Sequence, residues 1–295
     1  MGAPAFGLND LRRRDRVRAR HRTGMNLAAQ PIGVFDSGIG GLTVVRQLRR
    51  LLPHEDLVYL GDTARVPYGT KSPASVVRFA CEDTQFLMRH NVKAVVVACN
   101  TASAWALSTL TQRFDVPVFG VILPGARAAL DTTRVGRIGI IATNATIRSM
   151  AYNKAILARN DTVQLYARAC PLLVPLVEEG WMDHPVTRAA LREYLRPLLR
   201  RRIDTLVLGC THYPLLKTAI SKIVGPRVRL VDSAETCAEF VRERLAHLRL
   251  LNTRRRRAGT IQPFVTDEVE RFSTVAAQFL GEAVETVIKV DLAAV

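Results

Sequence analysis

The sequence predicts an α/β protein built as two pseudo-symmetric βα domains, with mostly parallel sheets and an active site in the cleft between them. Three observations predict it. Short aliphatic runs that end in small or polar residues alternate with stretches of helical apolar spacing, the pattern of βαβ units. Two of these runs recur: Arg137 to Asn144, RIGIIATN, matches Pro31 to Gly38, PIGVFDSG, at an offset of 106 residues, and the run ending at Cys210 matches the run ending at Cys99 at an offset of 111. Both cysteines stand where a parallel strand hands over to a helix, the edge at which open α/β sheets do their chemistry.

A chain of 295 residues, 48% of them hydrophobic, buries a sizeable core and suits two domains of roughly 100–150 residues better than one. No apolar run approaches the roughly 20 residues that span a bilayer, and the N-terminus lacks the apolar core of a secretory signal, so the expected compartment is the cytoplasm with no membrane partner. Five cysteines without a CxxC pair oppose a disulfide framework and a zinc site, leaving free thiols and no expected metal.

Residues 1–26 read as a disordered basic extension without hydrophobic periodicity. Met25 stands five residues before the first strand, and we read it as a true or alternative start, with residues 1–24 dispensable. The net charge of +16 is concentrated: residues 1–25 hold seven Arg against two Asp, and Arg254 to Arg257 add four more charges. Such blocks are read first as solvated tails, and neither has interleaved aromatics to stack on bases, so a nucleic-acid partner is the remote reading.

Pro31 to Gly41, PIGVFDSGIGG, is a short strand, then Asp36 and Ser37, then a glycine turn into a helix from about Leu42 with Val45, Leu48 and Leu52 at helical spacing. Gly38 and Gly40 start a dinucleotide fingerprint, but Thr43 occupies the place of its third glycine and Asp36 would face the pyrophosphate. The better reading has backbone amides and the Ser37 hydroxyl holding a small polar ligand, with Asp36 pairing with a cation or moving a proton. Leu57 to Thr70, LVYLGDTARVPYGT, is a second strand followed by a polar loop able to present backbone amides. A helix over about 72–91 leads to the strand VKAVVVACNTASA, residues 92–104, and Asp115 to Val121 supplies another strand.

In the second half Ala142 and Thr143 stand where Asp36 and Ser37 stood, while the cysteine recurs in IDTLVLGCTHYP, residues 203–214. A site between the halves, with one thiol from each, follows. A thiol at a helix N-terminus has its thiolate stabilised by free amides and the helix dipole, which brings its pKa toward that of a working base. Two such groups across a small ligand can remove a proton from one face of a carbon and return one to the other. That is racemisation without a cofactor. Because an amino-acid Cα–H is weakly acidic, the site must stabilise the carbanionic transition state, and Asn100, Thr101, Thr211 and the loop amides are the available donors. A lone cysteine at a buried strand end is more often a packing residue, and that reading is kept for Cys81, Cys170 and Cys237. His212 is either a satisfied buried histidine or, two residues after Cys210, a group that sets that thiol's protonation.

These residues resemble the cofactor-independent aspartate/glutamate racemase superfamily, and within it the glutamate racemases. The likeness runs from about residue 31 to near the C-terminus through PIGVFDSGIGGLTV, YLGDTARVPYGTKS, ACNTASA, IATNATIRSMAY, CPLLVPLVEEGW, LGCTHYPLL and LVDSAE. It implies that Cys99 and Cys210 are the two bases, one for each enantiomer of glutamate, with Asp36 assisting Cys99, and His212 and Glu178 assisting Cys210. It implies that Ser37, Asn100, Thr101 and Thr211 grip the amino and α-carboxylate groups and that Tyr68, Gly69 and Thr146 reach the carboxylates. It further implies L-glutamate and D-glutamate as ligands, no cofactor, a role in peptidoglycan precursor supply, and room for a homodimer. The implied boundaries are residues 27–123 plus 235–295 for domain one and 124–234 for domain two. The turn Ala142-Thr143-Asn144-Ala145-Thr146 lacks a glycine common in such proteins, and Leu123 stands where a polar residue is common, departures that bear on effector or dimer contacts. The rival within the superfamily is an aspartate racemase or another paired-cysteine isomerase.

Overall fold

The computed structural model describes residues 26–253, 257–284 and 286–292. The expected extension and start at Met25, and Arg254 to Arg256 of the second basic block, lie outside the described residues. The first half runs β1 (Ile32–Asp36), α1 (Leu42–Leu51), β2 (Leu57–Gly61), α2 (Pro73–Arg89), β3 (Ala94–Val97), α3 (Asn100–Arg113), β4 (Val118–Gly120) and α4 (Ile122–Thr132). The second runs β5 (Arg137–Ala142), α5 (Asn144–Ser149), α6 (Ala151–Leu157), β6 (Gln164–Ala169), α7 (Leu173–Glu178), α8 (Pro185–Arg200), β7 (Thr205–Gly209), α9 (Lys217–Val224) and β8 (Arg229–Asp232). The chain then forms α10 (Ser233–His247), β9 (Ile261–Val265), α11 (Val269–Leu280) and β10 (Ile288–Lys289).

Two separate sheets result, and every strand pairing in them is parallel. The first has the order β10-β9-β2-β1-β3-β4 and the second β6-β5-β7-β8. The first four strands of each half therefore share one order, with the reversal of winding between β1 and β3 in one sheet and between β5 and β7 in the other. Such reversals open a crevice at the carboxyl ends of the strands. The sequence repeat is the imprint of this shared topology.

Local chemistry explains the element ends. Ser72 caps α2 by accepting the Ser75 amide at 3.2 Å, and Pro73 occupies the first helical position, where a missing N–H costs nothing. Asp232 caps α10 through the Ala234 amide at 2.7 Å. The strand expected over 115–121 shortens to Val118–Gly120, with Pro117 contributing only its carbonyl, which accepts the Val95 amide. The polar loop expected over 67–70 is a single 3-10 turn, Tyr68–Thr70.

Both faces of the first sheet are covered. Ile32 and Val34 of β1 pack with α1 and α10, while Phe35 points to the opposite face with Val58, Leu60, Val76 and Phe79. Each fully buried aliphatic or aromatic side chain of this kind stabilises the fold by about 1.5–3 kcal/mol. α10 lies against both α1 and α4, and the core that includes Ile32, Ile140 and Val241 is continuous between the two sheets. It carries the chain back to the first sheet, where β9 pairs with β2. The sequence boundaries at 123/124 and 234/235 fall in the first turns of α4 and α10.

Candidate active site

β1 ends in Asp36, and a tight turn follows it into α1. The Asp36 carboxylate is fully buried, accepts the Gly38 amide at 3.1 Å and faces the Thr211 hydroxyl at 3.5 Å. Burial raises the Asp36 pKa, opposed by the His212 charge and the amides of Gly41 and Gly38. The turn needs glycine for a steric reason: a Cβ on Gly40 would stand 2.3 Å from Thr211 Oγ1 and 2.5 Å from the His212 ring. Ser37, next in the turn, faces Cys99, whose Sγ lies 3.7 Å from Ser37 Oγ.

Cys99 follows β3 and is the N-cap of the 14-residue α3, where its sulfur accepts the Ala102 amide at 3.4 Å. The sequence predicts a thiol eased toward thiolate by that helix end. Burial works in the other direction and, with the Asp36 charge, pushes Cys99 up to about 12 against the help of the Ala102 amide and Ser37. Cys99 therefore rests as the thiol.

Cys210 follows β7, the equivalent position, but the chain enters a 3-10 turn, Tyr213–Leu216, and α9 starts only at Lys217. The expected helix end is thus missing beside Cys210, and a histidine stands in. His212 Nδ1 lies 3.8 Å from Cys210 Sγ, and Nε2 lies 2.9 Å from Glu178 Oε1 at the end of α7. Burial by itself lowers His212, but the bonds to Cys210 and Glu178 outweigh it and bring it up to about 10. Glu178 is held below the usual carboxylate range: burial raises it, while the bond to His212, the His212 charge and Arg271 lower it further. Phe279 of α11 meets the His212 ring edge-on at 5.3 Å.

Cys99 and Cys210 border one cavity of about 110 Å³ together with Ser37, Asn100, Thr101, Thr211 and His212. Tyr68 and Gly69 border it from the loop after β2, and Thr143 and Asn144 from the second half. Asn100 enters with its amide already engaged, its Oδ1 accepting the Tyr152 hydroxyl at 2.8 Å and its Nδ2 donating to Ser233 at 3.3 Å. The hydroxyls of Thr101, Thr143 and Thr146 form a triangle with sides of 2.9, 3.1 and 3.0 Å. Thr146 stands one layer behind the cavity, and the Tyr68 hydroxyl turns away from it toward Asp62 and Asp83. Thr143 is a cavity residue that the sequence reading passed over as a site, although the repeat aligned it with Ser37. Cys81 and Cys237 are buried within α2 and α10, and Cys170 is buried after β6.

The arrangement places two thiols, each near ionisable side chains, at the winding reversals of two sheets and around one small cavity. No helix among the described residues is long and apolar enough to cross a membrane. Comparison with known proteins agrees with the geometry. A glutamate racemase of Geobacter metallireducens is 52% identical over 263 residues, covering 89% of this chain and 97% of that protein. Among solved structures, a glutamate racemase of Bacillus anthracis superposes with a TM-score of 0.85 at 41% identity, over 89% of this chain and 98% of that one. One from Francisella tularensis, solved in complex with D-glutamate, gives 0.83 at 38% identity, over 91% and 100%. The Asp/Glu/hydantoin racemase family model matches residues 32–241, well over half of the sequence, and the chain, an isomerase with the racemase fold, belongs to that family.

Proposed function

We propose that this chain interconverts L-glutamate and D-glutamate by two-base proton transfer between Cys99 and Cys210, without a cofactor. The observation that carries the reading is the placement of the two sulfurs, each following a strand of a different sheet, on one small cavity between them. In one direction a thiolate removes the Cα proton from its face while the opposite thiol donates its own proton to the other face. No atom is gained or lost, and the two sulfurs exchange protonation states. The reverse reaction uses the same groups in exchanged roles, so the site needs a base and an acid on each side.

The two sides supply these differently. Beside Cys210, His212 on Glu178 provides a cation that favours the thiolate and can return a proton to it. Beside Cys99, Asp36 at a raised pKa can exchange a proton and opposes the build-up of a second permanent negative charge. Ser37, Asn100, Thr101 and Thr211 hold the amino and α-carboxylate groups, and the Tyr68-Gly69 loop with the Thr143 hydroxyl receives the second carboxylate, Thr146 orienting the Thr101 and Thr143 hydroxyls from behind. These preorganised donors gain strength as charge develops at Cα.

Relatives at about 50% identity named glutamate racemase, and one neighbour holding D-glutamate, support glutamate as the substrate. Supply of D-glutamate to peptidoglycan precursors in the cytoplasm is the corresponding cellular role. We further assign domain one to residues 27–123 plus 235–295 and domain two to 124–234. The test is incubation of the purified protein with L-glutamate in heavy water, with neither pyridoxal phosphate nor metal added, following optical activity and Cα deuteration. Loss of rotation with deuterium entering Cα is the expected result. Turnover of another amino acid with glutamate untouched would remove the substrate assignment.

A further inference from the structure

Behind the loop that walls one side of the cleft lies a buried charge cluster that the proton transfer does not use. Asp62, directly after β2, and Asp83, on α2, are both fully buried. The Tyr68 hydroxyl bonds to Asp62 Oδ2 and lies 3.0 Å from Asp83 Oδ2. Arg65 reaches Asp62 Oδ2 at 2.6 Å through Nε and Asp83 Oδ1 at 3.0 Å through Nη2, and it also pairs with Glu82 at the surface. Asp62 Oδ1 accepts a further bond from Thr266 at 3.1 Å. The guanidinium lies 4.3 Å over the Phe79 ring.

These groups do not balance if every carboxyl is ionised. The phenol has one hydrogen and two carboxylate oxygens within reach. With both ionised, Asp83 Oδ2 faces an oxygen that has already given its hydrogen to Asp62, a buried anion with no donor at that atom. A proton on Asp83 Oδ2 resolves the conflict: Asp83 donates to Tyr68, and Tyr68 donates to Asp62. Asp62 is the better place for the negative charge, since Arg65, Tyr68 and Thr266 all face it with donors, whereas Arg65 alone donates to Asp83. Burial raises Asp83 well above the usual carboxylate range, helped by the charges of Asp62 and Glu82 and opposed by Arg65 and the bond from Tyr68.

The cleft depends on what this cluster holds. Val66, Pro67, Tyr68, Gly69 and Thr70 all border the cavity, whereas Arg65 and Asp83 do not. Gly69 sits so close to the second half that an added Cβ would stand 2.9 Å from Thr143 Cβ. The loop thus reaches from the first sheet to the capping residue of α5, and its position sets the cavity's width at that end.

We propose that Asp83 carries a proton in the working protein, and that the ordered chain from Asp83 through Tyr68 to Asp62, locked by Arg65, positions the Val66–Thr70 wall for the substrate. Asp83 and Arg65 are positioning residues in this scheme, which rests on the racemase reading of the cleft.

The test compares the full-length protein with Asp83→Asn, which keeps a donor toward Tyr68, and Asp83→Leu, which keeps volume but no polar atom. Three readouts are taken from pH 6 to 9: glutamate kinetics, thermal stability, and amide hydrogen exchange of residues 64–70. Asp83→Asn is expected to stay within about twofold of the parent in KM, while Asp83→Leu raises KM about tenfold with a smaller change in kcat and speeds loop exchange. A carboxyl whose folded pKa is raised loses stability as pH climbs from its unfolded value toward its folded one, so the parent declines with pH in a way Asp83→Asn does not. Parallel stability curves for those two proteins, or an Asn variant with loop exchange as fast as the Leu variant, would overturn the proton assignment. Unchanged KM and loop exchange in a folded Asp83→Leu protein would overturn the positioning role. Should Asp83→Leu not fold, the stability comparison still decides. A parent protein inactive on glutamate would sink the functional reading alone, because exchange and stability do not depend on turnover.

Discussion

His212 Nε2 lies 2.9 Å from Glu178 Oε1, joining a residue two places after the second thiol to the end of a helix 34 positions earlier. This pair determines the charge beside Cys210, and its pH dependence follows from the two shifts. His212, raised from 6.5 to about 10, contributes stability that is complete below 6.5 and lost as pH rises through about 10. Glu178, lowered from 4.5, contributes stability present above 4.5 and lost as pH falls through its lower folded value. The pair's contribution is therefore complete between 4.5 and 6.5. Thermal melts of the parent and His212→Gln across pH 5 to 10 check this: the parent loses stability above 6.5, and the variant loses less.

Removing either sulfur separates the two halves of the reaction. Cys99→Ser and Cys210→Ser are each expected to lower racemisation by at least about 10³-fold, within the range for loss of a positioned acid or base. Each retains one competent face, so slow one-sided exchange of the Cα proton persists for one enantiomer. Deuterium incorporation measured separately from L- and D-glutamate reads both effects, and full racemisation by either variant would eliminate the two-thiol mechanism.

Gly40→Ala tests the contact between the first glycine turn and the second thiol's segment. The added methyl would meet Thr211 Oγ1 and the His212 ring well inside contact distance, so both must move. Displacement of about 1 Å at such groups costs about 100-fold in kcat. Overpacking costs about 1–3 kcal/mol of stability, read from denaturant unfolding.

Lys93 and Glu55 form a buried ion pair in the base of the first sheet, remote from the cleft. The Lys93 ammonium also donates to Ala28 O at 2.7 Å, and Glu55 accepts the Asn252 amide at 2.8 Å, so the pair fastens the first described turn and the segment after α10 to the sheet. Lys93→Met leaves the carboxylate buried without its cation and is expected to cost about 3–5 kcal/mol. Chemical denaturation of Lys93→Met and of Lys93→Met with Glu55→Met separates that penalty from the pair's net worth. The double variant is expected to recover most of the loss.

Thr143→Ala removes both the cap of α5, whose hydroxyl accepts the Thr146 amide at 3.4 Å, and one corner of the hydroxyl triangle. The cap is worth about 1 kcal/mol. A rise in KM for glutamate beyond what Thr146→Ala produces would place Thr143 in direct contact with the substrate.

The places of β1, β2, β3, β5 and β7, the glycine turn, the repeat and the equivalence of Cys99 with Cys210 are legible in the amino-acid sequence. Each is a local property: aliphatic runs of strand length, small residues where backbone passes close, and a threonine or asparagine beside each thiol are all visible within a dozen residues. The resemblance carried by the motifs added Glu178, which as a helix-end acid has no distinguishing local mark. Tertiary structure alone decided the electrostatics. The same placement after a strand leaves Cys99 on a long helix yet pushed up by burial and Asp36, and leaves Cys210 without that helix but beside an imidazole held by Glu178. It also decided that the Tyr68 hydroxyl serves Asp62 and Asp83 instead of the cleft. Desolvation and charge–charge contact depend on which distant segments are packed together, and the docking of two sheets through α10 is information that no local window of the chain contains.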